Sequence, residues 1–253
     1  MARSVLIVGL GLIGGSAGIA LRRRGWRVAY LDPHVSLEDA KGAGAADERV
    51  EHIGEAEVIV LATPVDAAVA LLQTLRTNAV VTSTCSVMRP LRAAARGAFV
   101  AGHPMAGSQE SGLAAARADL FEGKPWFVDA EDVLVDEVVR DCGAVLERVD
   151  AEEHDAAVAL TSHLPQVLST ALAAHLHGRD DLLRFAGSGL RTFLRLAGSD
   201  AGVWAPVLAA NRDQLAPHAE AIAALVRQII EGDPRDAFEK ARAVWRALEP
   251  PPC

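Results

Sequence analysis

Two short stretches hold residues whose types and spacing suit chemistry. Gly9-Leu-Gly11-Leu-Ile-Gly14-Gly15 is a GxGxxG run. In that pattern the first glycine makes a tight turn, the second lets the backbone approach a pyrophosphate, and the third lets a helix pack on a strand. Leu12 and Ile13 fill its free positions at the start of a helix whose N-terminus favours an anion. Asp32 follows about 20 residues on, where a carboxylate accepts hydrogen bonds from ribose hydroxyls and repels a 2′-phosphate. With no arginine nearby to hold such a phosphate, the cofactor expected is NAD. The second stretch is "GHPMAGSQESG", residues 102–112, which sets His103 against the rigid Pro104. An imidazole changes charge near neutral pH, but a lone loop histidine is usually a solvated side chain. Its meaning depends on what the fold places beside it.

The elements that must position these residues are readable as patterns. "SVLIV", "RVAYL", "EVIVLA", "AVVTS", "AFVAG", "PWFVD" and "LERVD" are strand candidates, several of them apolar on consecutive residues, as parallel strands buried on both faces are. Between them, 64–76 and 134–145 carry apolar residues at helical spacing. Residues 1–150 therefore read as a Rossmann-type doubly wound α/β domain that binds the dinucleotide. Residues 151–253 read as an all-helical domain: 151–178 as one long helix with Pro165 inside it, then helices over 204–232 and 236–248. A helical half of about 100 residues is small for independent stability, so dimerisation through it is expected. In open α/β sheets ligands sit at the carboxyl ends of the strands. Thr63, in "ATPV", then lies along the cofactor, with Pro64 starting the next helix. Ser86, in "TSTCSVM", and His103 are directed to the same place, facing the helical half.

Composition narrows the partners. The net charge of −8 disfavours nucleic acid and anionic membranes. The apolar run near the N-terminus is too short and too glycine-rich for a span, and no basic segment precedes it. Cys85, Cys142 and Cys253 form no CxxC pair, and no histidine cluster has metal-ligand spacing. Reduced thiols in a cytoplasmic small-molecule enzyme without a metal are the expectation.

"GLGLIGGS", "ATPV", "CSVM", "GHPMAGSQESG", "TSHLPQ" and "FLRLAGSDAGVW" occur in this order along nearly the whole chain. In this the sequence resembles the prephenate and arogenate dehydrogenase family of tyrosine biosynthesis. The resemblance implies a reaction in which a cyclohexadienol loses hydride from C4 to NAD and its ring carboxylate as carbon dioxide, giving an aromatic product. It implies His103 as the general base for the C4 hydroxyl and Ser86 as the hydroxyl that orients it and the substrate. It implies Arg195 as the cation for a substrate carboxylate, with His163, Gln166, Ser108, Gln109 and Trp204 at or near the substrate. Trp204 fits a pocket, a dimer contact or ordinary packing, and Arg191 is a solvated neighbour. A homodimer is implied as well.

The chain also departs from the family. Where the family commonly has Asp-x-Gly-Ser-Val-Lys, this chain has Ser83-Thr-Cys85-Ser86-Val87-Met88. Gln166 stands at a frequent histidine, and Gln109 at a frequent acid. A neutral Gln109 offers no charge to the ammonium of arogenate, so prephenate is the substrate expected, giving 4-hydroxyphenylpyruvate. Glu110 and the missing lysine pull towards arogenate or a 4-amino-4-deoxyprephenate-type analogue. A catalytically retired nucleotide-binding dimer is the non-enzyme alternative, and intact Ser86, His103 and Arg195 argue against it. A hydroxyacid dehydrogenase would want a catalytic lysine in the helical half, which has only Lys240.

Overall fold

Leu6, Ile7 and Val58–Leu61 are almost wholly buried, because the strands that carry them lie mid-sheet with helices on both faces. The computed structural model describes residues 3–108 and 110–248. Its main sheet is parallel: β1 (Ser4–Val8), β2 (Arg27–Leu31), β3 (Glu48–Arg49), β4 (Val58–Leu61), β5 (Val80–Ser83) and β6 (Phe99–Val100), in the order β3-β2-β1-β4-β5-β6. That is the doubly wound dinucleotide-binding order, and its direction reverses between β1 and β4. Helices α1 (Leu12–Arg23), α2 (Leu37–Gly42), α3 (Val65–Thr74) and α4 (Arg89–Ala94) make its crossovers. α1 packs closely because its contact face is glycine. A Cβ on Gly14 would stand 2.0 Å from the Gly9 carbonyl oxygen, and one on Gly18 2.1 Å from that of Ala45.

The "AFVAG" run is one strand in the sequence reading and two in the structure. At Ala101 the N–H donates to the Asp129 carboxylate at 2.8 Å, and the carbonyl accepts from the Asp129 N–H at 3.1 Å. This takes the chain out of the main sheet. β7 (Gly102–Pro104) then pairs antiparallel with β8 (Pro125–Val128), which pairs parallel with β9 (Val145–Arg148), while α5 (Val133–Asp141) links the last two. β3 was also missing from the sequence reading, since two residues, both charged and one of them exposed, leave no periodicity to read.

Beyond Arg148 the described chain is helical: α6 (Ala151–Val158), α7 (Leu164–Leu176), α8 (Asp180–Leu183), α9 (Ser188–Phe193), α10 (Ala201–Ala210), α11 (Arg212–Glu231) and α12 (Arg235–Leu248). Asp150 caps α6 by accepting from the Glu152 and Glu153 N–H groups. The single helix expected over 151–178 is interrupted. Ala159–His163 forms a π turn and α7 restarts with Pro165 in its first turn, where a residue without an N–H costs nothing. Among the described residues no helix is long and apolar enough to cross a membrane.

Candidate active site

The glycine loop, Asp32, Thr63 and Ser86 follow the carboxyl ends of β1, β2, β4 and β5, and His103 lies in β7, three residues beyond the end of β6. Gly9, at φ 91°, makes the turn after β1, and a Cβ there would lie 2.6 Å from the Ala62 carbonyl oxygen. Gly11 has nothing within 4 Å of where its Cβ would point, so a ligand can approach the backbone there. The N-terminus of α1 has no side-chain cap and no acid in its first turn, which leaves its N–H groups for an anion. Leu12 and Ile13 are partly buried against the core beneath. Asp32 accepts from the Leu10 N–H and from the His34 N–H, each at 2.8 Å, which fixes its carboxylate at the end of β2 with lone pairs to spare. Thr63 Oγ1 is buried with no hydrogen-bond partner among the described residues, which leaves it available to a ligand. Pro64 is the N-cap residue of α3. A dinucleotide fits this set of residues.

His103 lies in β7, only 8% exposed. Its Nδ1 is 2.9 Å from Nε2 of His154, and His154 Nδ1 is 2.8 Å from Asp155 Oδ1. Asp155 is fully buried. Its carboxylate also accepts from the Met88 N–H at 2.8 Å and the Arg89 N–H at 3.0 Å, and with the His154 bond these hold it below the usual carboxylate range against the cost of burial. An ionised Asp155 only accepts, so His154 Nδ1 carries a proton, and in the neutral ring its Nε2 is then a lone pair. That lone pair takes the His103 Nδ1–H, which leaves His103 Nε2 as a bare acceptor. Burial, with His154 and His163 nearby, pushes His103 down to about 3, so the ring is neutral at physiological pH.

His103 is oriented by His154, not by Ser86 as the sequence reading had it. Its Nδ1 is already taken, and no Ser86 bond to it is found among the described residues. Ser86 is half-buried in the loop after β5. His154 and Asp155 escaped the sequence reading because they sit in the acidic first turns of α6. The available signal was spacing, since His154 lies four residues before Val158, on the buried face of that helix.

Arg89 fastens the helical half to the loop that carries Ser86. Its guanidinium meets both oxygens of Asp213 at 2.8 Å, Asn211 Oδ1 at 3.0 Å and Glu152 at 3.2 Å, and lies 3.4 Å from Asp155. Asn211 in turn donates to the Asp155 carbonyl at 2.7 Å and to His163 Nδ1 at 3.2 Å. His163 is therefore protonated at Nε2, a buried donor short of a full hydrogen bond among the described residues; burial keeps the ring below its ordinary range, opposed by Asp155 and by the Ser86 backbone. Trp204 stands edge-on to it, centroids 6.0 Å apart, half-buried against the core under α3.

Gln166 is consumed by scaffolding. Its amide nitrogen donates to the Leu196 carbonyl at 2.8 Å and to Thr170 at 3.1 Å, and its oxygen accepts from Ser199 at 3.3 Å. It thereby ties the 3₁₀ segment Leu194–Gly198, which displays an exposed Arg195, to α7. Ser108 is exposed and accepts from the Glu110 N–H at 3.2 Å. Gln109 lies outside the described residues. Met88 is fully buried in the core with Val87 and Leu91, so it does not stand in a pocket as the argument for an amino-substituted substrate required.

Residues 17–153 match the family model described as prephenate dehydrogenase, nucleotide-binding domain, and residues 150–240 match prephenate dehydrogenase, dimerization domain. A prephenate dehydrogenase of Bacillus subtilis is 30% identical over 85% of this chain and 66% of its own length. A probable prephenate dehydrogenase of Streptomyces niveus is 36% identical over 83% of this chain and 63% of its own length. The chain thus spans about two thirds of the length of these relatives. The crystal structure of a prephenate dehydrogenase from A. aeolicus, in complex with hydroxyphenyl propionate and NAD+, superposes with a TM-score of 0.82 at 29% identity, covering 98% of this chain and 96% of that one.

Proposed function

The chain belongs to the prephenate dehydrogenase family, and from that premise we propose that it catalyses the NAD-dependent oxidative decarboxylation of prephenate to 4-hydroxyphenylpyruvate. The observation that carries this reading is a neutral, buried His103 whose Nδ1 is engaged by His154, which leaves its Nε2 free among the described residues. A group that accepts a hydroxyl proton as C4 becomes electron-poor must be unprotonated and held in place, and His103 is both. Ser86, across the same edge, orients the substrate alcohol. The His163 Nε2–H and Arg195 supply a donor and a cation for substrate carboxylates. Trp204 walls the pocket beside His163.

Gly9, Gly11, Gly14, Leu12, Ile13, Asp32, Thr63 and Pro64 would hold NAD, which when bound supplies the acceptor for the hydride leaving C4. Asp32 sets its identity by accepting ribose hydroxyls and opposing a 2′-phosphate. NAD is expected to give the higher kcat/KM, and Asp32→Ala to narrow its lead. A tenfold preference of the wild type for NADP would defeat the assignment.

The working unit is a homodimer in the cytoplasm. Phe238, Trp245 and Leu248 form a stripe along one face of α12, each at least 60% exposed in a single protomer, and a second copy is the natural cover for such a stripe. Cys85 and Cys142 are unpaired and buried, and burial pushes the Cys85 thiol up to about 12, so it is unreactive. Reduction of NAD measured side by side with prephenate, arogenate and the 4-amino analogue tests the substrate. Prephenate is expected to have the highest kcat/KM, and a higher value for either of the others overturns that choice.

A further inference from the structure

The reaction proposed above releases no net proton. Prephenate loses carbon dioxide and a hydride, and its C4 hydroxyl ends as a phenol hydroxyl, so a proton withdrawn from that oxygen must be given back. A base for this task needs somewhere to keep a proton briefly, and an outlet to water serves no purpose. Behind His103 the structure holds such a place. His154 is 2% exposed and Asp155 is fully buried. The rings of His103 and His154 meet edge to face with centroids 5.1 Å apart, and Phe127 covers His154 from another side at 5.9 Å. The hydrogen bonds run in one direction, from His103 Nδ1 to His154 Nε2 at 2.9 Å and from His154 Nδ1 to Asp155 Oδ1 at 2.8 Å. Asp155 itself is anchored by the Met88 and Arg89 N–H groups.

We propose that His154, backed by Asp155, is the second station of a closed proton relay. As the substrate O–H bond breaks and His103 Nε2–H forms, the His103 Nδ1 proton passes to His154 Nε2. The His154 imidazolium then lies against a carboxylate, and His103 stays neutral. Both transfers reverse when the product oxygen takes its proton back. The hydride leaves C4 with its electron pair, and the pair of the C1–carboxylate bond closes the aromatic ring, so no other oxidant or proton source is needed. His103 is the poorer place for the charge, since no carboxylate touches it among the described residues and burial disfavours its protonated form. His154 acts through His103 and does not touch substrate, so it is a positioning and proton-storing residue. The inference rests on reading His103 as the base.

His154→Gln separates storing a proton from holding a ring. The glutamine oxygen can accept the His103 Nδ1–H and keep its tautomer, but the amide cannot take the proton. In the full-length variant kcat should fall roughly ten- to a hundredfold, with the KM values for prephenate and NAD within about twofold. The rate plotted against the deuterium fraction of the solvent should be bowed in the wild type, with two protons in flight, and straight in the variant. Unchanged kcat, or the same curvature in both proteins, overturns the relay. Histidine ¹⁵N spectra of the unliganded wild type check the geometry independently of turnover, with both His103 and His154 expected to be protonated at Nδ1. A His103 protonated at Nε2 refutes the relay. Absence of turnover with any cyclohexadienol refutes the enzyme reading instead, and the spectra still report the tautomers.

Discussion

Replacing His103 by asparagine is expected to lower kcat by roughly two to four orders of magnitude, the usual contribution of a positioned general base. Asparagine keeps a polar side chain in β7 and can still bond to His154, so the pocket retains its shape. What is lost is the bare Nε2. The glycine loop and Asp32 stand on other strands, so the dissociation constant for NAD should stay within about twofold, which separates a chemical defect from a binding one. Turnover of prephenate by His103→Asn at the wild-type rate would remove His103 from the chemistry. So would a loss that lay wholly in KM.

The same substitution has a signature in stability. His103 is pushed from an ordinary 6.5 down to about 3 in the folded protein. Between those values the unfolded chain binds a proton that the folded protein does not. The folded state therefore has its full stability above about 6.5 and loses it as the pH falls towards 3. His163 is displaced in the same direction by burial and remains in the variant. His103→Asn should thus lose less stability than the wild type between pH 7 and 4, but should not become pH-independent. Urea denaturation across that range measures it, and equal slopes for the two proteins would contradict the buried, neutral state of His103.

The parts of this fold legible in the sequence are those whose burial is two-sided or whose backbone demands glycine. β1 and β4 showed as unbroken apolar runs because both of their faces are covered. Gly9 and Gly14 showed because the turn after β1 and the seat of α1 leave no room for a side chain. The separate sheet of β7, β8 and β9 did not show, because what redirects the chain at Ala101 is Asp129, 28 residues away, and a contact at that separation leaves no local pattern. The histidine proposed as the base was legible through the residues around it, but its support was not. His154 and Asp155 fall in "AEEHDAA", which has the composition of a solvated first turn, and only the packing of α6 beneath the β5–α4 loop buries them. Gln166 is the converse case. Its position suggested a ligand for substrate, whereas its amide is spent on Leu196, Thr170 and Ser199. Side-chain direction within α7 decides that, and the sequence does not contain it.

Arg195→Ala should raise the KM for prephenate roughly ten- to a hundredfold, because losing one partner of a charge-assisted pair costs about 1.5 to 3 kcal/mol. Arg195 sits in the 3₁₀ segment Leu194–Gly198, exposed in the single protomer, and no ion pair to it is found among the described residues. That sets it apart from Arg89 and Arg92, whose guanidinium groups are bound to carboxylates of the scaffold. An arginine that holds no structural partner can be removed without leaving a buried charge behind, so its loss should fall on the ligand. The segment is also not free to wander, since Gln166 pins the Leu196 carbonyl beside it. A fixed backbone under a free guanidinium suits two parallel bonds to a carboxylate, a geometry that lysine cannot reproduce. Arg195→Lys should therefore recover only part of the loss, and kcat in both variants should change far less than KM. Steady-state kinetics with the dimer verified by light scattering decides the matter. An unchanged KM in a folded, dimeric Arg195→Ala protein places the guanidinium outside the pocket, and a full recovery by lysine shows that charge alone, not the planar fork, is what the substrate reads.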